Sequence, residues 1–435
     1  MTRRVILIVV LAITSNVILA AVLPKIDVWT TETARIAVAV AGGHGFSSPF
    51  RQPTGPSAWI PPVYPYLLAG IFLVCGGPGA AAYCVAVAFN ILVHAFTCVL
   101  LDRAAGEVFG ARVGTYSAYA LAGFPLLFYP LVLLHVLGGY GGLGLFISPN
   151  VIWYTHLTEL AIVLLIWFAL HPPHWAAFGA TWGIAALLNP TLLILAPAFA
   201  GWQLRNRKDW RYVAQVGLVA VLCVAPWLTR NYLAFHQMVF IRDNFGTELR
   251  VGNVPGHNGR WDGEVHPDRS DYELGRLREL GEVEYNQASE REAVQAIRAH
   301  TGEFFRNVLF RIGYWWAGNP LESKRMGELR FLKYLPQVMF SLLALIGAGR
   351  AMRAKNRKAF LFVGVMVLYP LIHYVTHTSE SLMYQYPMQP EMLALATSAV
   401  FRRRTNRCPA APDATRLTNW APFAGTPSNI RASER

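Results

Sequence analysis

Charge is scarce in this sequence: only 14% of its 435 residues are Asp, Glu, Lys or Arg, against roughly a quarter in soluble domains. Hydrophobic residues make up 54% and aromatics 13%, and the apolar residues come in long runs. That combination excludes an ordinary soluble protein and implies an integral membrane protein. Cysteine is also scarce. Cys75, Cys84, Cys98, Cys223 and Cys408 show no paired spacing, which excludes a disulfide framework and a cysteine metal motif. No Gly-rich nucleotide cradle is present, and no repeat relates the two halves in the way many transporters show.

What charge there is has a pattern. The formal net charge is +13, yet the basic residues do not form a nucleic-acid surface. They crowd into short loops between apolar runs: Arg205, Arg207, Lys208 and Arg211; Arg350, Arg353, Lys355, Arg357 and Lys358; Arg402, Arg403, Arg404 and Arg407. The positive-inside rule makes these loops cytoplasmic. The acidic residues concentrate elsewhere, with 15 of 25 between positions 231 and 330.

Six segments follow. Residues 1–23 read as an uncleaved first transmembrane helix, because Val22-Leu23-Pro24 lacks a small-residue cleavage site. Residues 24–66 form an external acidic loop with amphipathic helices. Residues 67–230 are a transmembrane bundle, including a cytoplasmic loop over 102–112, a Gly-rich external turn over 138–142 and a short helix pair around Asn189-Pro190. The run from Val63 to Gly76 is too short for a crossing of about 20 residues, and the parity of the remaining runs requires one non-spanning candidate. Residues 231–330 read as an external, mainly helical capping domain, 331–401 as C-terminal transmembrane helices, and 402–435 as a disordered cytoplasmic tail. The expected architecture is an all-α polytopic membrane protein of about ten transmembrane helices.

Polar residues gather at one face of this arrangement. The first loop carries Asp27, Glu32, Arg35 and His44. Most exposed glutamates are solvated; a carboxylate beside a lipid-fed crevice can instead act as a general base on an acceptor hydroxyl while a cation holds a departing phosphate. Glu159 lies just inside the same face, three residues after His156, and an intramembrane acid is costly enough to suggest function. Arg230 and Arg242 offer guanidinium groups suited to phosphate, or else an interfacial anchor and an ion pair with Asp243. Trp59, Tyr64, Tyr66, Trp153, Tyr154, Trp315 and Trp316 suit an interfacial belt or sugar-stacking surfaces.

The order of these pieces resembles a known class. An acidic loop after the first span, Pro61-Pro62-x-Tyr64, Val108 to Arg112 and Leu187-Leu188-Asn189-Pro190 together look like the GT-C class of membrane glycosyltransferases. The nearest resemblance is to bacterial relatives of the protein-mannosyltransferase and aminoarabinose-transferase families, through Gly43 to Phe50, Thr54-Gly55-Pro56, Ala58-Trp59, Arg230-Asn231-Tyr232, Arg242 to Gly246 and Gly252-Asn253. It covers nearly all of residues 1–400.

The resemblance implies a GT-C-like bundle in the bacterial inner membrane, with its active face external. It implies transfer of a sugar from a polyprenyl-phosphate donor to a cell-envelope glycan, lipid or protein acceptor, with inversion. Glu32 occupies the neighbourhood of the class base, with Asp27 as the fallback; the class usually shows an acidic pair, and this chain has a lone Glu in Thr-Thr-Glu-Thr. Relatives often carry Arg-Tyr-Arg-x-Pro near the last span, where this chain has Met383-Tyr384-Gln385-Tyr386-Pro387, so Arg230 or Arg242 must take over phosphate binding. Tyr384, Tyr64, His44, Arg35, His156 and Glu159 complete the substrate-binding candidates. The resemblance fixes no cofactor; a divalent cation shared by Glu32, Glu159 and the lipid phosphate is an open option. The competing readings are a non-catalytic transporter or lipid-handling protein, and a degenerate paralogue acting as a scaffold.

Overall fold

The computed structural model describes residues 3–22, 28–150, 152–318, 330–377 and 384–401, with 138–148 excepted. Asp27, the Gly-rich turn and the tail from 402 therefore lie outside the described residues. The described chain is helical throughout, with a single isolated β-bridge between Ser47 and Pro56.

The bundle begins with α1 (Arg3–Val22), α4 (Ala80–Phe109) and α5 (Ala111–Leu137), which pack against one another. The expected loop at 102–112 is mostly helix. Asp102-Arg103-Ala104-Ala105 continues α4 because Asp102 is buried and paired, bonding Arg4 at 3.0 Å and the Thr115 hydroxyl at 3.2 Å. The break comes only at Gly110, where φ is +105°. Gly114 then lets α5 lie directly on α4: a Cβ there would collide with the Asp102 carbonyl and the Gly106 backbone.

Next come α6 (Thr155–Leu170), α7 (Trp175–Leu188), α8 (Ala196–Arg207) and α9 (Trp210–Phe235). Asn189 separates α7 from a 3-10 turn by accepting from the Thr191 amide, as expected of an Asn-Pro corner. The last part of the bundle is α14 (Arg330–Arg353), α15 (Phe360–Leu368), α16 (Leu371–Val375) and α17 (Gln389–Val400). Pro370 divides α15 from α16, since proline cannot donate to the preceding turn. Among the described residues, five helices are long and apolar enough to cross a membrane: Arg3–Ala21, Ala80–Phe109, Trp210–Phe235, Leu335–Arg353 and Arg357–Val375. Shorter apolar helices supplement them, including α3 (Val63–Cys75).

Two polar segments meet beside the bundle. The first contains α2 (Glu32–Ala41), capped by Thr31 through the Ala34 amide, whose buried Ala34 and Ala37 pack on Tyr64 and Leu68 of α3. The second contains α10 (Phe245–Gly252), α11 (Asp271–Leu280), α12 (Glu282–Ala299) and α13 (Thr301–Ala317). A buried arginine ties this segment to the bundle. Arg311 donates to the carbonyls of Gly259 at 3.0 Å, Tyr374 at 3.0 Å and Val375 at 2.9 Å, to Gly252, and to Asn253 Oδ1 at 2.9 Å. The carbonyls at 374–375 end α16, where a cation is favoured by the helix dipole.

Candidate functional site

Glu32 is the first residue of α2, so its side chain leaves the helix toward the second polar segment. It is withdrawn from solvent, with 16% of the side chain exposed. Its Oε1 accepts from the Trp59 indole at 3.1 Å and lies 3.9 Å from His266 Nε2. His266 Nδ1 accepts from the Asp268 amide at 3.1 Å, which leaves the proton on Nε2, facing Glu32. Phe50, Trp59 and Trp261 pack around the imidazole, and burial holds its pKa below the usual histidine value.

The cluster continues from Glu32 through Arg242. Arg242 Nη2 lies 3.4 Å from Glu248 Oε1, and its Nε bonds Asn244 Oδ1 at 2.5 Å. Asn244 donates to Glu248 at 2.7 Å, and His377 Nε2 lies 2.6 Å from the other Glu248 oxygen. Arg242 is thus paired with Glu248, in place of the ion pair with Asp243 that sequence neighbourhood suggested. Arg35, one turn beyond Glu32, bonds Asp268 at 2.7 Å and the Pro49 carbonyl at 3.3 Å.

The electrostatics separate the two carboxylates. Burial pushes Glu32 up to about 8, aided by the charges of Asp268 and Glu248 and opposed by Arg242 and the Trp59 bond. Burial would raise Glu248 as well, but His377, Arg242 and His266 overcome it and hold its carboxyl at about 2. One acid is poised to exchange a proton near neutral pH; the other is a fixed anion orienting the cations around it.

Close packing sets this geometry. Gly252, at the end of α10, lies against Thr376 and His377 so tightly that a Cβ would collide with the Thr376 carbonyl oxygen. Tyr384 stacks on His373 with ring centroids 4.7 Å apart and meets His377 edge-on at 5.4 Å. It therefore borders the Glu248 end of the cluster.

Other sequence candidates lie elsewhere. Arg230 is spent on architecture: it donates to the carbonyls of Ser57 at 2.7 Å and Phe46 at 2.5 Å and to Asn231 Oδ1 at 3.1 Å, with Trp227 4.9 Å beneath it. It fastens the first loop to α9. His44 is exposed at the end of α2. Tyr64 is buried in the α2–α3 packing, its hydroxyl 3.5 Å from Asn90. His156 and Glu159 lie in the apolar bundle, where Glu159 Oε2 is 3.4 Å from His94 Nδ1 and 3.7 Å from His156 Nδ1. The oxygen-ligand cation site considered for Glu159 becomes a His-His-Glu group that could hold a metal ion.

Sequence reasoning missed His266, Glu248, His377 and His94 as site residues. His94 carried a usable signal, because an ionisable side chain inside the apolar run 81–101 is uncommon enough to suggest function. The other three lay among many similar residues with nothing to single them out.

No family model matches this sequence, and no curated protein is significantly similar to it. Among solved structures, the apo-form oligosaccharyltransferase of Archaeoglobus fulgidus is similar, with a TM-score of 0.50 and 13% sequence identity over 91% of this chain and 50% of that one. The chain thus spans about half the length of that enzyme. At this identity the likeness speaks to fold alone: the described residues form an all-helical membrane bundle similar in fold to that GT-C-type enzyme.

Proposed function

We propose that the protein is a glycosyltransferase that moves a sugar from a polyprenyl-phosphate donor to an acceptor hydroxyl at the external face of a bacterial inner membrane. The observation that carries this reading is the meeting of Glu32 with the Arg242–Glu248–His377 group. A carboxylate with a pKa of about 8 beside an arginine supplies the two functions such a transfer needs: a base for the acceptor and a cation for the phosphate.

In this mechanism Glu32 takes the proton from the acceptor hydroxyl as its oxygen attacks the anomeric carbon. The bond from that carbon to the phosphate oxygen breaks on the opposite side, so configuration inverts and polyprenyl phosphate leaves as an anion. Arg242 binds the phosphate, with Glu248 and Asn244 fixing the guanidinium plane. His377 and Tyr384 pack on the Glu248 side of this group, and Trp59 holds Glu32 through its indole N–H. The donor is already activated, so no nucleotide fold is needed. Arg230 holds the first loop in place, and the segment carrying α10 to α13 serves as the cap over this group.

The test is to incubate the purified full-length protein with labelled polyprenyl-phosphate sugars and follow both released polyprenyl phosphate and the anomeric configuration of the product. Release with inversion supports the proposal. Binding without turnover across all donors favours a lipid-handling protein.

A further inference from the structure

The His94–His156–Glu159 group takes no part in the chemistry proposed above, yet it is costly to keep. All three residues are buried: His94 and Glu159 are 0% exposed and His156 1%. They come from two helices, His94 from α4 and the other pair from one face of α6 at spacing i, i+3. Their candidate ligand atoms all lie within 4.8 Å of one another. Two of the separations, 3.4 and 3.7 Å, approach the ~3.3 Å between neighbouring ligand atoms around a tetrahedral zinc ion with bonds of about 2.0–2.1 Å.

Two further observations point to a bound cation. His94 Nε2 lies 3.3 Å from the Leu121 carbonyl; a carbonyl can only accept, so Nε2 carries the proton and Nδ1 faces Glu159. That orientation, with the outer N–H on a backbone carbonyl, is how metal-binding imidazoles are fixed. In addition, neither ring nitrogen of His156 has a hydrogen-bond partner among the described residues, and Glu159 Oε1 has none. A simple imidazolium–carboxylate pair between His94 and Glu159 leaves these orphans unexplained, and burying an unpaired polar group is costly.

We infer that His94, His156 and Glu159 form a binding site for a borderline transition-metal ion of the zinc class. Two imidazoles and one carboxylate favour such an ion over magnesium or calcium, which prefer oxygen-only shells. The ion clamps α4 to α6 within the first turn after Tyr154, which occupies the N-cap position of α6 and feels the charges of Arg242, Glu248 and Glu32. Its role is to position the start of α6.

The experiment measures metal by mass spectrometry in full-length protein purified in detergent, before and after exposure to Zn2+ or Co2+ alone, for the wild type, His94→Gln, His156→Gln and Glu159→Gln. The expected result is about one equivalent per chain in the wild type, lost in each variant, with a visible ligand-field band in the cobalt form. Wild-type protein that is folded by circular dichroism and gel filtration but takes up neither ion overturns the inference. So does a stoichiometry that the three substitutions leave unchanged. Because the readout is metal content, it can fail while Glu32-dependent transfer stands, and the reverse.

Discussion

Trp59 donates its indole Nε1–H to Glu32 Oε1 over 3.1 Å, across 27 residues of sequence. The bond favours the ionised carboxylate and so works against the burial that raises Glu32. Trp59→Phe keeps most of the ring and removes the donor. A hydrogen bond to a charged group is worth roughly 1.5–3 kcal/mol when buried, less at this partly open position, so the substitution should raise the Glu32 pKa by about one unit. Transfer rates should fall severalfold near neutral pH and recover at higher pH. An unchanged pH–rate profile in Trp59→Phe would show that the bond does not tune the base.

Gly252 is the contact through which α10 sets the position of His377. Gly252→Ala must push Thr376 and His377 away, at a cost typical of overpacking, about 1–3 kcal/mol. Both thermal stability and transfer activity should drop, since His377 then loses its 2.6 Å approach to Glu248. Wild-type stability in this variant would mean that the packing is looser than described.

Arg311 satisfies five acceptors at once, three of them in buried contacts, and burial lowers its pKa to about 10. Replacing it by methionine leaves those acceptors unpaired. At roughly 1–3 kcal/mol per buried acceptor left unsatisfied, the expected loss is several kcal/mol, seen as a lower melting temperature or failure to accumulate in membranes. Normal abundance and melting behaviour in Arg311→Met would contradict the role assigned to it.

Asp243 and Glu282 form a buried acid pair next to the first loop, with the Asp243 amide 3.2 Å from the Ala58 carbonyl and Glu282 Oε1 accepting from the Ala58 amide at 2.5 Å. Burial pushes Asp243 up to about 7 from its ordinary 3.8, and burial together with the Asp243 charge raises Glu282. A raised carboxyl binds its proton more tightly in the folded state. Its stabilisation is therefore complete below about pH 4 and is lost as pH rises toward 7. Glu32 acts in the same direction, and Glu248, held at about 2, acts oppositely below about pH 4.5. Asp243→Asn removes the Asp243 share, so its melting temperature should fall less than the wild type's between pH 5 and about 7.5. Parallel curves for the two proteins would rule the pair out as a pH-sensitive element.

The broad plan was legible because apolar run length and turn chemistry are local properties. The short α3, the break at Asn189-Pro190 and the helices of 245–317 follow from residues close in sequence. The continuation of α4 through Asp102 was not, because it depends on Arg4 and Thr115. The site divided in the same way. Glu32 and Arg242 stood out as charges beside hydrophobic segments, and Tyr384 through the resemblance. His266, Glu248 and His377 did not, because each gains its meaning from a partner far away in sequence. Arg230 stood open between a phosphate ligand and an interfacial anchor, because nothing near it in sequence shows that its donors lie on the carbonyls of Phe46 and Ser57.

The central claim is that Glu32 is the base. The measurement is release of polyprenyl phosphate from a labelled donor by the wild type and Glu32→Gln at matched membrane abundance, from pH 6 to about 9. Wild-type rates should climb with an apparent pKa of about 8, and the Glu32→Gln variant should be slowed by about 10²-fold or more with no such limb. A variant that keeps both the rate and the limb would contradict that claim.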